Sequence, residues 1–192
     1  MGSSYQTVLA SGELDDVRAG VSASGQRAVI MPVGERRWAV VPAQEDGVYA
    51  ETEGLAARLS VGGPAASFSV FDSDVLVAML FRGGAAYHEF LSDQSFLMEG
   101  WDDDDNEVLY DMLGRPYLPD DTPPTGPFGA DAAAFAPLGV GSVDEGELSA
   151  ALRQGARDAV EWHHAIVHAL KFADARPLTM TYDEAAASGL GV

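Results

Sequence analysis

The stretch SFSVFDSDVLVAMLFRGGAAYHEFLSD, residues 67–93, decides the fold. Aromatic and β-branched residues fill three runs in it, which are typical of β-strands: 67–72, 75–81 and 85–91. Asp72-Ser73-Asp74 and Gly83-Gly84 separate these runs, and both are turn sequences short enough for hairpins. The stretch therefore predicts a three-stranded antiparallel meander. Its middle strand is apolar on both faces, so we expect it at the centre of a sheet with helices on one side.

Two further strands are predicted before the meander, at 28–33 and 38–43, with Gly34-Glu35-Arg36-Arg37 between them. Pro32 and Pro42 place both strands at a sheet edge or near their own ends, because proline cannot donate a ladder hydrogen bond. Apolar residues at helical spacing predict helices at four places: 12–24, 50–60, 143–155 and 157–172. Two pairs match a capping box, Ser142 with Glu145 and Thr181 with Glu184.

The composition changes at about residue 99. Residues 99–121 hold nine acidic residues and one basic residue, a net charge of −8, and six of the ten prolines lie between 116 and 137. This predicts a long irregular connection, within which VLYDML (108–113) could add a helical turn. The expected fold is α+β: one domain over 1–192 with an antiparallel sheet of five to six strands in 1–98, flanking helices, the acidic connection 99–141, and a C-terminal helical pair in 142–192.

The whole chain carries a net charge of −19, from 30 acidic and 11 basic residues. Such a charge repels nucleic-acid phosphates and anionic membrane surfaces, so neither is an expected partner, whereas a basic protein is. Cysteine is absent, which excludes disulfides, thiolate metal sites and cysteine nucleophiles. Because MGSSYQTVLA has no basic start and no long apolar segment, we expect no secretory signal and a cytoplasmic location.

The run WDDDDNEVLYD (101–111) is the first candidate site. Its aspartates do not follow the alternating ligand pattern of a calcium loop and lack its glycine, so a solvated acidic loop is the preferred interpretation. The alternatives are weak binding of a divalent cation and docking of a basic protein surface. Aromatic residues near these carboxylates could anchor a partner. The predicted partner-binding set is Trp101, Asp102, Asp103, Asp104, Asp105, Tyr110 and Tyr117.

The run EWHHAIVH (161–168) is the second candidate site. His164 and His168 lie at i and i+4, so on a helix they share one face and could bind a transition metal, with Glu161, Asp158 or the acidic run as a third ligand. The sequence is not H-E-x-x-H, so an amphipathic helix with partly buried, hydrogen-bonded histidines is the preferred interpretation, with His163 or His164 on its apolar face.

The turn Asp72-Ser73-Asp74 is the third candidate. Its two carboxylates could perform acid–base catalysis, with His88 and its neighbours on the next strand adding polar groups. The alternative is ordinary turn chemistry, in which the side chains bind nearby backbone amides. No phosphate-binding glycine motif and no G-x-S-x-G elbow occurs, and no cofactor is predicted.

The segments FDSDVLVAMLFRGGAAYHEFLSD (71–93) and EWHHAIVHALKF (161–172) loosely resemble a group of uncharacterised soluble bacterial proteins. Those proteins combine a strand–DSD–strand meander with a C-terminal helix that contains a histidine. The resemblance covers about half of the chain and implies the same fold and a bacterial cytoplasmic setting. It implies no activity.

Three functions are compatible with the sequence. The preferred one is a non-enzymatic protein-binding module of the inhibitor or immunity type, which uses its acidic surface to bind a basic partner. The second is a metal-dependent hydrolase that uses His164 and His168 or the Asp72/Asp74 turn. The third is a structural or regulatory role within a larger assembly.

Overall fold

The computed structural model describes residues 2–44, 49–103, 105–118, 120–153, 155 and 158–192. The main sheet is antiparallel and has six strands: β1 (Tyr5–Ser11), β2 (Ala28–Gly34), β3 (Arg37–Pro42), β4 (Ala65–Phe71), β5 (Val75–Arg82) and β6 (Ala85–Leu91). Their order is β2-β3-β1-β4-β5-β6. The predicted meander is therefore present as β4-β5-β6, and the predicted strands before it are β2 and β3. The α+β prediction is confirmed.

Six α-helices are present in the described part of the chain: α1 (Leu14–Ser24), α2 (Thr52–Leu59), α3 (Ala132–Phe135), α4 (Glu145–Arg153), α5 (Ala159–Ala169) and α6 (Tyr182–Ala187). Short 3-10 helices follow α3 and precede α6, at Ala136–Leu138 and Arg176–Thr179. The four predicted helices correspond to α1, α2, α4 and α5, each a few residues shorter than expected. No described helix has the length and apolar character needed to cross a membrane.

Strand β1 is the one strand of the main sheet that the sequence does not predict, and it lies at the centre of that sheet between β3 and β4. Its register pairs Val8 with Val40 on one side and with Ser67 on the other. The strand is buried on both faces except for the half-buried Gln6. The prediction that β5 is central is consequently wrong, because β5 lies next to the edge strand β6.

Helices cover both faces of the main sheet rather than the one face that was expected. On one face, Leu9, Phe68 and Leu80 belong to a core with residues of α3, α4 and α5. On the other face, Val8 and Phe81 pack with residues of α1 and α2. The sheet is thus the middle layer of a three-layer structure, which is the usual arrangement for strands that are apolar on both faces.

The acidic connection is more regular than predicted, because it contains a second antiparallel sheet, which we call the acidic sheet. Its strands are β7 (Leu97–Trp101), β8 (Glu107–Asp111) and β9 (Pro116–Tyr117), in that order. The prediction of a helical turn at 108–113 is wrong, since these residues form β8 and the turn that follows it. Phe96, Met112 and Leu113 pack beside Val75 and Leu91, and so attach the acidic sheet to the main one.

The helix caps near the C-terminus only partly follow the sequence motifs. Thr181 and Glu184 form the predicted capping box of α6. The predicted box of Ser142 with Glu145 is wrong, because Asp144 accepts hydrogen bonds from the backbone N–H groups of Glu147 and Gly146 at 3.0 and 2.9 Å. These two bonds favour the charged form and lower the pKa of Asp144.

Candidate partner-binding site on the acidic sheet

Asp102, Asp103 and Asp105 lie in the turn between β7 and β8. The backbone N–H of Asp102 donates to the carbonyl of Asn106 at 3.0 Å, and the Asp102 carboxylate accepts from the Asn106 backbone N–H at 2.8 Å. The carboxylate of Asp102 therefore holds the turn together. Asp103 and Asp105 are exposed, whereas Asp104 lies outside the described residues. The turn consequently presents carboxylates to solvent at one end of the acidic sheet.

The register of the acidic sheet shows which side chains share the face of Trp101. Glu99, Leu109 and Tyr117 are aligned across the three strands, and Trp101 pairs with Glu107. Paired residues lie on the same face of a sheet, and so do residues two apart along a strand. These five residues therefore form one face, which we call the Trp101 face.

The Trp101 face combines exposed apolar surface with carboxylates. The Trp101 side chain is 71% exposed, which is high for a residue type that is usually well buried. Glu99 and Glu107 are exposed beside it, and Leu109 and Tyr117 are half-buried. Leu118, directly after β9, is 63% exposed. An aromatic side chain with an apolar neighbour and a rim of charge is the typical composition of a protein-binding surface.

Tyr110 does not belong to this face. It pairs with Met98 on the opposite side of the acidic sheet, and its ring lies across Gly100, where a Cβ atom would be only 2.9 Å from Cε2 of the ring. The tyrosine therefore fills the space that the glycine leaves. Of the three predicted aromatic anchors, the structure brings Trp101 and Tyr117 together on one face and places Tyr110 on the other.

Asp111 and Arg115 fix the turn between β8 and β9. The Asp111 side chain is fully buried, and its Oδ2 lies 2.6 Å from Nε of Arg115. Its Oδ1 accepts hydrogen bonds from the backbone N–H groups of Leu113 and Arg115 at 2.9 and 3.0 Å. The Tyr117 hydroxyl donates to the same carboxylate at 3.3 Å. One buried carboxylate thus organises the turn and positions Tyr117.

Arg115 also connects the acidic sheet to the segment beside β6. Its Nη2 donates to Oε1 of Gln94 at 3.3 Å, and its guanidinium carbon lies 3.9 Å from the centroid of the Phe128 ring. Phe128 is bound in turn to Leu91 of β6 by two backbone hydrogen bonds of 3.1 and 2.8 Å. Since cation–π contacts and charged hydrogen bonds are directional, this arrangement gives the acidic sheet a defined orientation.

The histidines of α5 divide between solvent and core. His164 and His168 are exposed on the outer face of the helix, as is Glu161. Among the described residues, no cluster of three or more histidine, aspartate or glutamate side chains could hold a metal ion. The metal-site hypothesis therefore gains no third ligand there. The helix is amphipathic as expected, but the buried histidine is His163.

His163 is fully buried in the main core. Its Nδ1 lies 3.0 Å from the hydroxyl of Tyr5, and its ring is 4.5 Å from that of Phe68, measured between centroids. Burial, with a smaller effect of His164, lowers the pKa of His163 to about 3, so the ring is neutral at physiological pH. Burial also raises the pKa of Tyr5. The pair acts as a neutral polar contact between β1 and α5.

The Asp72-Ser73-Asp74 segment is the turn between β4 and β5, as the turn interpretation expects. Asp72 and Ser73 adopt the left-handed conformation, with φ of 49° and 61°, which suits a tight hairpin. The Asp72 backbone N–H donates to the Ser4 hydroxyl at 2.8 Å, and the Ala159 N–H donates to the Ser73 carbonyl at 2.8 Å. The turn thus joins the start of β1 to the start of α5.

His88 does not lie near this turn. It pairs with Leu80, five residues along β5 from Val75, which places it roughly 16 Å away at ~3.3 Å per residue. Its Nε2 lies 2.7 Å from the carbonyl oxygen of Gly129. The structure therefore separates His88 from Asp72 and Asp74, and the catalytic role of each remains a prediction.

No family model, curated protein or solved structure matches this chain. The candidate site accordingly depends on its own geometry. Sequence reasoning missed Glu99, Glu107 and Leu109 as members of the Trp101 face. Their signal is the two-residue spacing of Glu99 with Trp101 and of Glu107 with Leu109, which can be recognised once both segments are read as strands.

Proposed function

We propose that this protein is a non-enzymatic binding module whose Trp101 face binds a basic surface of another protein, in the manner of an inhibitor or immunity protein. The observation that carries the proposal is the 71% exposure of Trp101 on a face that is bordered by carboxylates. An exposed tryptophan is unfavourable in water and becomes favourable when a partner covers it. The cytoplasmic location expected from the sequence is part of this proposal.

The charge of the chain supports a basic partner. Glu99 and Glu107 are exposed on the Trp101 face, and Asp103 and Asp105 are exposed in the turn that follows Trp101. The net charge of the chain is −19. Opposite charges steer the encounter of two proteins and raise the association rate. Salt weakens this effect, because at 0.1 M ionic strength exposed charges more than about 10 Å apart are largely screened from each other. The aromatic anchor would determine the lifetime of the complex, and the carboxylates would determine how fast it forms.

The buried Asp111–Arg115 pair supports a surface that is ordered before binding. It positions Tyr117 and fixes the turn between β8 and β9, so a partner meets a largely formed face. A preformed surface avoids the entropic cost of ordering side chains on association.

Affinity capture from the source cells tests the proposal. The protein is immobilised, incubated with cell extract at low ionic strength, and eluted with increasing NaCl before the bound proteins are identified by mass spectrometry. We expect a basic protein that is retained at low salt and released at high salt. Trp101→Ala should weaken its binding by at least about 2 kcal/mol, or roughly 30-fold, as for a central aromatic anchor.

A charge-matched pair of variants is the control. The first replaces three exposed acidic residues of the site: Asp103→Asn, Asp105→Asn and Glu107→Gln. The second removes the same charge from exposed residues of α1 and α2, outside the site: Asp15→Asn, Asp16→Asn and Glu53→Gln. The first should lose the partner at a lower salt concentration than the second. If no basic protein is retained, or if both variants behave alike, the proposal is wrong.

The metal-dependent hydrolase remains the alternative from the sequence. No observation favours it over the binding module. His164 and His168 lie on an exposed helix face with no third ligand among the described residues, and Asp72 and Asp74 belong to a turn. Its test is metal analysis of the freshly purified protein together with the double variant His164→Ala and His168→Ala.

A further inference from the structure

The two edges of the main sheet differ in how far the chain covers them. At the β2 edge, the carbonyl of Ile30 accepts a hydrogen bond from the N–H of Val192 at 2.9 Å, and the carbonyl of Val33 accepts one from Ala173 at 2.9 Å. Pro32 has no N–H to offer. The β2 edge is therefore occupied by the chain's own C-terminal segment and interrupted by proline, both of which prevent pairing with another strand.

The β6 edge is covered over half of its length. Leu91 exchanges two backbone hydrogen bonds with Phe128, and Gly129 lies so close to the carbonyl of Glu89 that a Cβ atom there would overlap it. The N-terminal half of β6, which follows the Gly83-Gly84 turn, has no such cover. No hydrogen bond joins the backbone of Ala85–His88 to any described residue outside the β5–β6 hairpin. Ala85, Ala86 and Tyr87 are exposed and include no proline or lysine that would block an approaching strand.

A groove of about 380 Å³ runs along this free edge, lined by Ala86, Tyr87, His88, Glu89, Phe128 and Gly129. Its walls are held in place. The Tyr87 hydroxyl donates to the carbonyl of Ala134 at 2.8 Å, and the guanidinium carbon of Arg82 lies 5.1 Å from the Tyr87 ring centroid. The imidazole of His88 is held by the Gly129 carbonyl at 2.7 Å. Since these side chains already have partners within the chain, the groove does not depend on a ligand for its shape.

We propose that the β6 edge from Ala85 to His88 binds an extended, basic segment of a partner protein as an added strand. The segment would form main-chain hydrogen bonds with β6 and place side chains against Tyr87 and Phe128, which are 39% and 36% exposed. The exposed carboxylate of Glu89 lines the same groove and favours a lysine or arginine in the segment.

A basic segment is a better occupant than a second copy of this chain. Two copies would each carry a net charge of −19, and their repulsion opposes an edge-to-edge dimer. This site uses different residues from the Trp101 face, so it does not rest on the function proposed above. A partner that engages both surfaces would gain affinity through the linkage of the two sites.

Titration of the ¹⁵N-labelled full chain with a defined peptide tests the proposal. The probe has seven residues, alternating valine and threonine between terminal lysines, and is capped at both ends. We expect progressive amide shifts at Ala85–Glu89 and Phe128, and slower hydrogen exchange for the amides of β6. The control peptide carries N-methyl groups on alternate residues of its pairing edge, which removes its donors without changing its charge. It should bind at least about tenfold more weakly.

Three results would overturn the proposal. The first is the absence of shifts in β6 at millimolar peptide, and the second is equal binding of the two peptides. The third is a set of shifts confined to the acidic sheet that disappears in Trp101→Ala, which would assign the peptide to the Trp101 face instead. Sedimentation of the free protein gives a further outcome, because a dimer whose β6 amides are protected would make a second copy the occupant and contradict the basic partner.

Discussion

At the scale of single residues, Asp111 links the conformation of a turn to the shape of the candidate site. Its carboxylate accepts hydrogen bonds from Leu113, Arg115 and Tyr117 within a fully buried environment. Removing one partner of a buried ion pair leaves the other without its counter-charge, which is strongly destabilising. Because Arg115 remains 30% exposed and can be hydrated, the loss of stability should be smaller than for a fully buried ion pair.

We therefore expect Asp111→Ala to lower the free energy of unfolding by about 3 kcal/mol, measured by urea denaturation. Asp103→Ala is the matched control, since Asp103 is an exposed aspartate of the same sheet, and it should change stability by less than about 0.5 kcal/mol. Equal effects of the two substitutions would show that the buried pair does not stabilise the acidic sheet.

His163 makes stability depend on pH with a definite sign. Its pKa is about 3 in the folded protein and about 6.5 in an unfolded chain, so between these values the unfolded state binds more protons. The contribution of His163 is complete above pH 6.5 and is lost as the pH falls towards 3, by about 1 kcal/mol per pH unit.

We expect wild-type protein to lose stability from pH 7 to pH 5 more steeply than His163→Asn, in which an amide replaces the Nδ1 atom next to Tyr5. Urea unfolding of both proteins at pH 7, 6 and 5 measures the difference, and the many carboxylates cancel in the comparison. Parallel curves would contradict this prediction, as would an imidazole of His163 that titrates by NMR between pH 5 and 8.

At the scale of elements, the segment that covers the C-terminal half of β6 depends on Gly129. This residue has φ of +69° and lies against the Glu89 carbonyl, whereas Gly126 has φ of +78° with no atom within 4 Å of an added Cβ. Both substitutions to alanine introduce left-handed strain of about 1–2 kcal/mol. Only Gly129→Ala also forces the segment away from β6.

Gly129→Ala should therefore lower the free energy of unfolding by about 1–3 kcal/mol more than Gly126→Ala does, which is the usual cost of overpacking. The measurement is urea unfolding, supported by hydrogen exchange of the Leu91 amide, which should become faster only in Gly129→Ala. Equal losses in the two variants would mean that the close approach to Glu89 is not required.

Elements with a clear hydrophobic period or with strong turn residues at their ends were predictable from the sequence. The central strand of the main sheet and the very short elements were not. The meander β4-β5-β6 is marked by aromatic and β-branched runs between turns. Strand β1 shows no alternation of apolar and polar residues, because both of its faces are buried. The acidic sheet was missed because β9 has only two residues and because the carboxylates suggested solvated chain.

The candidate site was predictable in composition but not in arrangement. The sequence indicated Trp101, Tyr117 and the aspartates, because aromatic residues among carboxylates are visible without a structure. It could not separate Tyr110 from them, since that requires the register of three strands. It also could not decide between His163 and His164 as the buried histidine, because adjacent helical positions differ by only about 100° in direction.

At the scale of the whole molecule, a main sheet with a hydrophobic core on each face supports a second, smaller sheet, and residues 99–121 hold nine of the 30 acidic residues. The main sheet is covered on both faces by helices, whereas Trp101 on the acidic sheet and residues 85–87 of β6 are exposed. We infer that the acidic sheet receives a basic partner, with the core serving as its support.

Fluorescence of Trp101 during titration of the captured basic partner tests that inference most directly. Trp101 is 71% exposed, whereas Trp162 is 7% exposed and Trp38 is half-buried. A partner that covers Trp101 should therefore shift the emission to shorter wavelength and reduce acrylamide quenching, with no such change in Trp101→Phe, which retains the other two tryptophans. The account predicts that this signal saturates and that its midpoint rises steeply with salt. Unchanged quenching at saturating partner would contradict it.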